Sequence, residues 1–259
     1  MKPFRAFFIV IGVCLCALIS FSLYSSSSSG SSSNATSTLT FSNTQSWDTE
    51  IFSKLEYKQT LVPDFDTIVI PTPPSNDSAE TVQELALLHE FKKERVHAQV
   101  EIEREMRLEN TFFGSSTYHE LTNPNLRPNT AHLLETIHTE FLPVIVFFKQ
   151  RFDRVRPHYL DTTLTPSINV PGHPAYPSGH AAQSYLTALV LSDLDATHSD
   201  SYISSALRIA HNREIAGVHY PSDSKAGQAL ATQYYERLKT TDWYNEQIAS
   251  ARTEWISRN

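Results

Sequence analysis

From residue 46 to the end of the chain, apolar residues recur every three or four positions, which favours a fold of packed α-helices. The pattern is clearest before Lys149, in a stripe that would lie on one helical face: Leu133, Ile137, Phe141, Ile145 and Phe148. The sequence has no convincing alternation of the kind that indicates β-strands, and no internal repeat. We therefore predict a single all-α helical bundle over residues 46–259.

The same spacing gives the expected limits of the helices. We predict helices at Trp47–Tyr57, Ser78–Asn110, Pro128 to about Lys149, Ser178–Asp193, Ser201–Ile215, Pro221–Lys239 and Trp243–Ile256. Residues 61–77 and 161–176 are rich in proline or glycine and are predicted to be irregular. In the second helix the expected buried stripe is Val82, Leu85, Leu88, Phe91, Val96, Val100 and Met106. Its many charged residues, Glu105 among them, are interpreted as a solvated face.

The N-terminal segment differs from the rest of the chain. Lys2 and Arg5 precede an apolar run of 17 residues, Phe7–Leu23, whose length lies between a signal-peptide core and a membrane span. We predict a signal anchor or signal peptide at residues 1–24, followed by a Ser-rich flexible tether at residues 25–45. The protein would then be a single-pass membrane protein with residues 46–259 outside the cell or in a lumen, or a secreted protein if the segment is cleaved. Only this segment is expected to contact a membrane.

Charge and cysteine content narrow the class of ligand. The net charge of −7 argues against binding to a nucleic-acid backbone, which favours basic proteins. Both cysteines, Cys14 and Cys16, lie in the apolar run, so the body has no cysteine metal site. A local group of lysine and arginine in an acidic chain indicates a small anionic ligand instead.

Two short blocks supply candidate groups for such a ligand. Lys149 and Arg156 are seven residues apart, close to two helical turns, so both could point to one side of a helix. Ser178, Gly179 and His180 follow Pro177 at a predicted helix start, where unpaired N–H groups and the helix dipole favour an anion. Gly179 would let the anion come close to the backbone.

A third block contains Arg213, His219 and Asp223. A carboxylate bonded to one imidazole nitrogen fixes the tautomer and leaves the other nitrogen available for attack. Pro221 could open the next helix and place Asp223 in its first turn. The other nine histidines, His173 among them, are interpreted as structural.

Together the blocks resemble the signature of the type 2 phosphatidic acid phosphatase superfamily, which includes class A acid phosphatases and vanadium haloperoxidases. That signature reads Lys-x6-Arg-Pro, Pro-Ser-Gly-His and Ser-Arg-x5-His-x3-Asp. The residues that match it are Lys149, Arg156, Pro157, Pro177, Ser178, Gly179, His180, Arg213, His219 and Asp223. One position departs from it, because Asn212 stands where serine is usual. The spacing of the blocks is similar to that of the soluble class A acid phosphatases.

The resemblance implies a role for each matching residue. His219 would attack phosphorus with the help of Asp223, and His180 would protonate the leaving group and later activate water. The phosphoryl oxygens would be held by Lys149, Arg156, Ser178, Gly179 and Arg213.

The expected activity is metal-independent hydrolysis of a small phosphomonoester through a phosphohistidine, with no cofactor. The alternatives are a vanadate-dependent haloperoxidase, in which vanadate would bind as a phosphate mimic or serve as the cofactor, and a lipid phosphate phosphatase acting at a membrane surface. The oligomeric state does not follow from the sequence.

Overall fold

The computed structural model describes residues 38–107 and 123–256, and these ranges contain α-helices and short 3₁₀ turns but no β-strand. The α-helices are α1 Phe41–Thr44, α2 Thr49–Ser53, α3 Ala79–Phe91, α4 Arg95–Arg107, α5 Pro128–Phe152, α6 Pro157–Leu160, α7 Gly179–Leu194, α8 Ser199–Ile215, α9 Pro221–Leu238 and α10 Asp242–Ile256. The all-α prediction is confirmed. The limits predicted for α7 to α10 agree with the structure to within two residues.

The predicted helix at 78–110 was wrong as a single element. It is divided into α3 and α4 by a 3₁₀ turn, Lys92–Glu94. The 3₁₀ turn does not change which face is buried. The buried or half-buried positions recur every three or four residues through both helices: Glu84, Leu88, Phe91, Arg95, Ala98, Ile102 and Glu105. Val82, Val96 and Val100 of the predicted stripe lie off this face and are 59%, 85% and 67% exposed, and the interpretation of Glu105 as part of a solvated face was wrong. Ile102 is buried against the end of α8.

The stripe in α5 is buried as predicted, but this helix is capped from a distance. Arg127 is the N-cap residue and makes no side-chain capping bond. Instead, the Glu254 carboxylate on α10 accepts from the N–H groups of Asn129 at 2.7 Å and Thr130 at 3.0 Å. By length and composition α5 could cross a membrane, yet 56% of its most apolar window is buried inside the bundle.

Helix α7 lies at the centre of the molecule and packs chiefly against α8 and α9. Gly227 on α9 makes the close approach to α7 possible. A Cβ at this position would lie 2.5 Å from the Ser178 carbonyl oxygen and 2.9 Å from the Ala182 nitrogen. These distances are far shorter than a van der Waals contact, so glycine is required where α9 meets the first turn of α7.

The predicted signal anchor or signal peptide, residues 1–24, lies outside the described residues. The predicted tether overlaps them only at residues 38–45, where Phe41 is fully buried. The Phe41 N–H donates to the Asp153 carbonyl at 2.9 Å, and the Asp48 N–H donates to the Gly172 carbonyl at 2.6 Å. This part of the N-terminal region therefore packs on the helical body.

Candidate active site

The structure brings the three predicted blocks together at one end of α7. Lys149 lies in the last turn of α5, Ser178 caps α7, and Arg213 lies in the last turn of α8. The connection from α8 to α9 carries His219, and the first turn of α9 carries Asp223. These five side chains are buried. The cluster thus combines cations, an imidazole and a carboxylate with little access to water.

Arg156 also lies in this cluster, but it is not on the same helix as Lys149, as was predicted. Helix α5 ends at Phe152, and Asp153 follows in the left-handed region with φ of 44°. Arg156 therefore does not share a helical face with Lys149, and the prediction of two turns on one helix was wrong. The left-handed residue turns the chain back so that Arg156 reaches the same cluster immediately before α6.

His219 is held from both sides of its ring. Nδ1 lies 3.0 Å from Asp223 Oδ2, and Nε2 lies 3.1 Å from Arg156 Nη1. Arginine can only donate, so Nε2 must accept. The proton is therefore on Nδ1, where the carboxylate accepts it, and the Nε2 lone pair faces the buried cations.

The same surroundings keep His219 neutral. Burial and the nearby charge of Arg156 lower the pKa of His219 to about 3, although the Asp223 carboxylate favours the charged form. A neutral imidazole is the nucleophilic form of histidine, and here its Nε2 lone pair becomes available once Arg156 bonds another acceptor.

Asp223 is a fully buried carboxylate that accepts hydrogen bonds from several donors. Its Oδ2 accepts from His219 and from the Tyr220 N–H at 3.0 Å, while Arg154 Nη1 donates to Oδ1 at 2.6 Å. Burial alone would disfavour ionisation, but Arg154 and the bond from His219 outweigh it and lower the pKa of Asp223 to about 2. Pro221 opens α9 and Asp223 stands in its first turn, as predicted.

Lys149 is bonded to the turn that precedes α7. Its Nζ donates to the carbonyls of Pro174 and Pro177 at 2.7 Å, and the Ala175 carbonyl lies 3.4 Å away. Burial and the charge of Arg156 lower the pKa of Lys149 well below its usual value. Lys149 thus fixes the turn that carries Ser178 and contributes positive charge beside it.

The first turn of α7 is arranged as an N-terminal cap. Ser178 Oγ accepts from the Ala181 N–H at 3.4 Å. A Cβ on Gly179 would meet Ile145 and Lys149 atoms only at 3.9 and 4.0 Å, so the backbone is open there and lies beside the lysine. Burial, followed by the charges of Arg213 and other cluster residues, lowers the pKa of His180 well below its usual value.

Arg213 is the third arginine of the cluster, after Arg154 and Arg156. Its Nη2 donates to Glu105 Oε2 at 3.1 Å and to the Ile102 carbonyl at 3.2 Å. Its Nε and Nη1 are buried and have no hydrogen-bond partner among the described residues. A buried donor without a partner carries a large free-energy cost, which an anion in the cluster would remove.

Four residues beside the cluster were not predicted as part of the site: Arg154, Glu84, Glu105 and His173. Arg154 was part of the first block and could have been noticed there. Glu84 and Glu105 offered no such signal, because their partners Arg154 and Arg213 are 70 and 108 positions away. His173 was interpreted as structural, yet its Nδ1 lies 3.1 Å from Arg156 Nη2.

The donors of the cluster suit a tetrahedral oxyanion, and phosphate and vanadate share that shape. Guanidinium and ammonium groups bind such oxygens by charge-assisted hydrogen bonds. Within residues 38–107 and 123–256, no group of three histidine, cysteine, aspartate or glutamate residues is placed to hold a metal ion.

Part of the chain is similar in sequence to known acid phosphatases. Non-specific acid phosphatases from Salmonella typhi and Providencia stuartii are 33% identical over 85 residues and 26% identical over 111 residues, respectively. These matches cover 33% and 41% of this chain and 34% and 45% of the relatives, so the chain spans less than half of their length.

A solved vanadium-dependent iodoperoxidase of bacterial origin shares the fold. Its TM-score is 0.51 at 16% identity, over 70% of this chain and 53% of that one. Residues 130–235 match the sequence profile of the PAP2 superfamily, and this range contains all three blocks. The resemblance inferred from those blocks is confirmed: the chain contains a PAP2 superfamily domain.

Proposed function

We propose that the domain is a metal-independent phosphatase that hydrolyses small phosphomonoesters through a phosphohistidine intermediate. The observation that carries the proposal is the environment of His219. Asp223 holds its Nδ1 and Arg156 faces its Nε2, within a buried group of cations. A neutral nucleophile beside fixed positive charge suits attack on a phosphoryl group, whose oxygens carry the negative charge.

In the first step the phosphoryl oxygens take the donors of Arg156 and Arg213 and the backbone N–H at Gly179. Arg156 Nη1 then bonds a phosphoryl oxygen instead of His219 Nε2, so the lone pair is available. Nε2 forms a bond to phosphorus as the ester P–O bond breaks, and His180 gives its proton to the departing alkoxide. The phosphate dianion raises the pKa of His180 on binding, because negative charge favours the imidazolium.

In the second step water replaces His219 on phosphorus. His180, now neutral, takes a proton from the water as its oxygen bonds to phosphorus and the N–P bond breaks. Phosphate is released and His219 returns to its neutral Nδ1–H tautomer. Asp223 stabilises the cationic phosphohistidine between the two steps.

Location at a membrane or outside the cell belongs to the same proposal. The apolar run Phe7–Leu23 precedes the helical body, and its flanking positive charges favour an exterior or lumenal domain. Fractionation of expressing cells tests this, since an anchor leaves the protein in the membrane fraction and a cleaved signal releases it.

The activity is tested with the full-length protein and p-nitrophenyl phosphate in the presence of EDTA. We expect turnover by the wild type and none by His219→Ala. Arg151→Gln is the matched control, since Arg151 is exposed on the helix that carries Lys149. Iodide oxidation that requires added vanadate and peroxide, without phosphate release, would favour the haloperoxidase instead.

A further inference from the structure

A chain of three buried groups, Asp223, Arg154 and Glu84, extends behind His219. Beyond Asp223, Arg154 donates from Nη1 to Asp223 Oδ1 at 2.6 Å and from Nη2 to Glu84 Oε2 at 3.1 Å. Arg154 is 4% exposed and Glu84 is 5% exposed, while Asp223 is not exposed at all. The chain therefore runs from α3 to His219 with almost no access to solvent.

The Arg154 guanidinium is held on its face and at both terminal nitrogens. Its guanidinium lies 3.8 Å from the centre of the Tyr220 ring, and its Nη1 also donates to Ser222 Oγ at 2.7 Å. Glu84 Oε1 accepts from the Ser222 N–H at 2.6 Å, so this carboxylate caps the first turn of α9. Because these contacts restrain the plane of the guanidinium, Arg154 holds the Asp223 carboxylate in one orientation.

Glu84 also changes the charge behind His219. Arg154 and Asp223 alone would form a neutral pair. With Glu84 the group carries a net charge of −1, the sign that stabilises a positive charge on His219. The phosphohistidine carries that positive charge, with phosphorus on Nε2 and a proton on Nδ1.

We propose that Arg154 and Glu84 are positioning residues that act on His219 through Asp223. Arg154 orients the Asp223 carboxylate toward Nδ1, and Glu84 keeps the buried group negative, so that His219 is more nucleophilic and its phosphorylated form more stable. This inference rests on the proposed phosphatase function. A purely structural ion pair would affect folding but neither the nucleophile nor its pH dependence.

His219 faces other charged groups as well. Arg156 and Lys149 reach it from the region of α5 and α6, His180 from α7, and His173 from the loop before α7. None of these is altered when Glu84 or Arg154 is replaced, so a change in His219 would arise from the chain behind it.

The test uses full-length Glu84→Gln and Arg154→Lys. Glutamine keeps the shape of Glu84 without its charge. Lysine keeps the charge of Arg154 but lacks the planar guanidinium that donates from two nitrogens. The matched control is Glu140→Gln, because Glu140 is also a buried carboxylate that accepts backbone N–H bonds, at 2.9 Å from Thr60 and 3.1 Å from Leu61. Its hydrogen-bond partners are Tyr57, Thr60 and Leu61, and none of these belongs to the chain of groups behind His219.

Three readouts are measured: kcat and KM across pH, the amount of trapped phosphohistidine, and the His219 tautomer from nitrogen-15 NMR of the imidazole. For Glu84→Gln we expect kcat and trapped phosphoenzyme to fall about tenfold with little change in KM, as for a loss of one pKa unit of basicity. For Arg154→Lys we expect a mixture of His219 tautomers. Glu140→Gln should alter thermal stability only.

The proposal is overturned if both variants keep the wild-type kcat, pH profile and His219 tautomer while only their stability falls. The NMR measurement does not depend on turnover. Wild-type protein without phosphatase activity would contradict the proposed function, whereas an unchanged tautomer in Arg154→Lys would contradict the positioning role alone. If Glu84→Gln fails to fold, Glu84→Asp, which keeps the charge, must restore both folding and the pH profile.

Discussion

Arg213 and Glu105 form a buried ion pair, with Nη2 of the arginine 3.1 Å from Oε2 of the glutamate. The other oxygen of Glu105 accepts from Asn212 Nδ2 at 2.8 Å. Asn212 is the position that departs from the serine of the family signature. The longer amide side chain reaches Glu105, so Asn212 and Arg213 together fix the carboxylate that orients the guanidinium.

Replacing Glu105 should weaken phosphate binding. In Glu105→Gln the charge partner of Arg213 is lost, and we expect the inhibition constant of inorganic phosphate to rise about tenfold, as for the loss of one charged hydrogen bond. Asn212→Ser should have a smaller effect in the same direction. Inhibition of p-nitrophenyl phosphate hydrolysis measures both, with Glu90→Gln as control, because Glu90 pairs with Lys93 at the surface. Equal inhibition constants in all the proteins would contradict this role.

Gly227 should tolerate no side chain. In Gly227→Ala the new methyl group would overlap the Ser178 carbonyl, so we expect destabilisation of about 1–3 kcal/mol and a displaced α7 N-terminus. Chemical denaturation measures the free energy of unfolding. Gly179→Ala is the comparison, since its methyl would meet no atom closer than 3.9 Å. Two alanine variants of equal stability would show that α9 does not approach α7 as described.

Stability should fall at acidic pH. Burial lowers the pKa of His138 to about 4 and that of His219 to about 3, below the value of about 6.5 in an unfolded chain. Between these values the unfolded state binds more protons, so the stabilisation is complete above pH 6.5 and is lost as the pH falls. Thermal unfolding from pH 7 to pH 4 should show a falling Tm, with a shallower slope in His138→Gln. An identical slope would contradict a His138 that stays neutral in the folded protein over this pH range.

The contribution of Asp223 to stability should be lost at a lower pH than that of the histidines. Its folded pKa of about 2 lies below the ordinary aspartate value, so its ionised form stabilises the fold above about pH 4 and this stabilisation is lost toward pH 2. In Asp223→Asn the stability should be lower at pH 7 and should change less between pH 4 and pH 2 than in the wild type. Acid unfolding followed by circular dichroism measures the difference. Parallel curves would mean that Asp223 is not ionised in the fold.

How much the sequence could predict depended on the range of the interactions. The stripe in α5 and the limits of α7 to α10 follow from local periodicity, and the signature residues follow from short spacings. The buried face of α3 and α4 did not, because it includes Glu84 and Glu105, and charged residues in a helix normally indicate a solvated face. The partners of Arg154 and Arg213 were missed for the same reason, since Glu84 and Glu105 reach the cluster only through the tertiary fold.

The most direct test is to trap the phosphoenzyme. Full-length protein is mixed with labelled substrate, quenched in alkali, and analysed by mass spectrometry for a phosphoryl group on His219. The account predicts an acid-labile phosphate on this histidine in the wild type and in Arg151→Gln, and none in His219→Ala. Unimpaired phosphatase turnover by His219→Ala, or a phosphoryl group on a different residue, would contradict it.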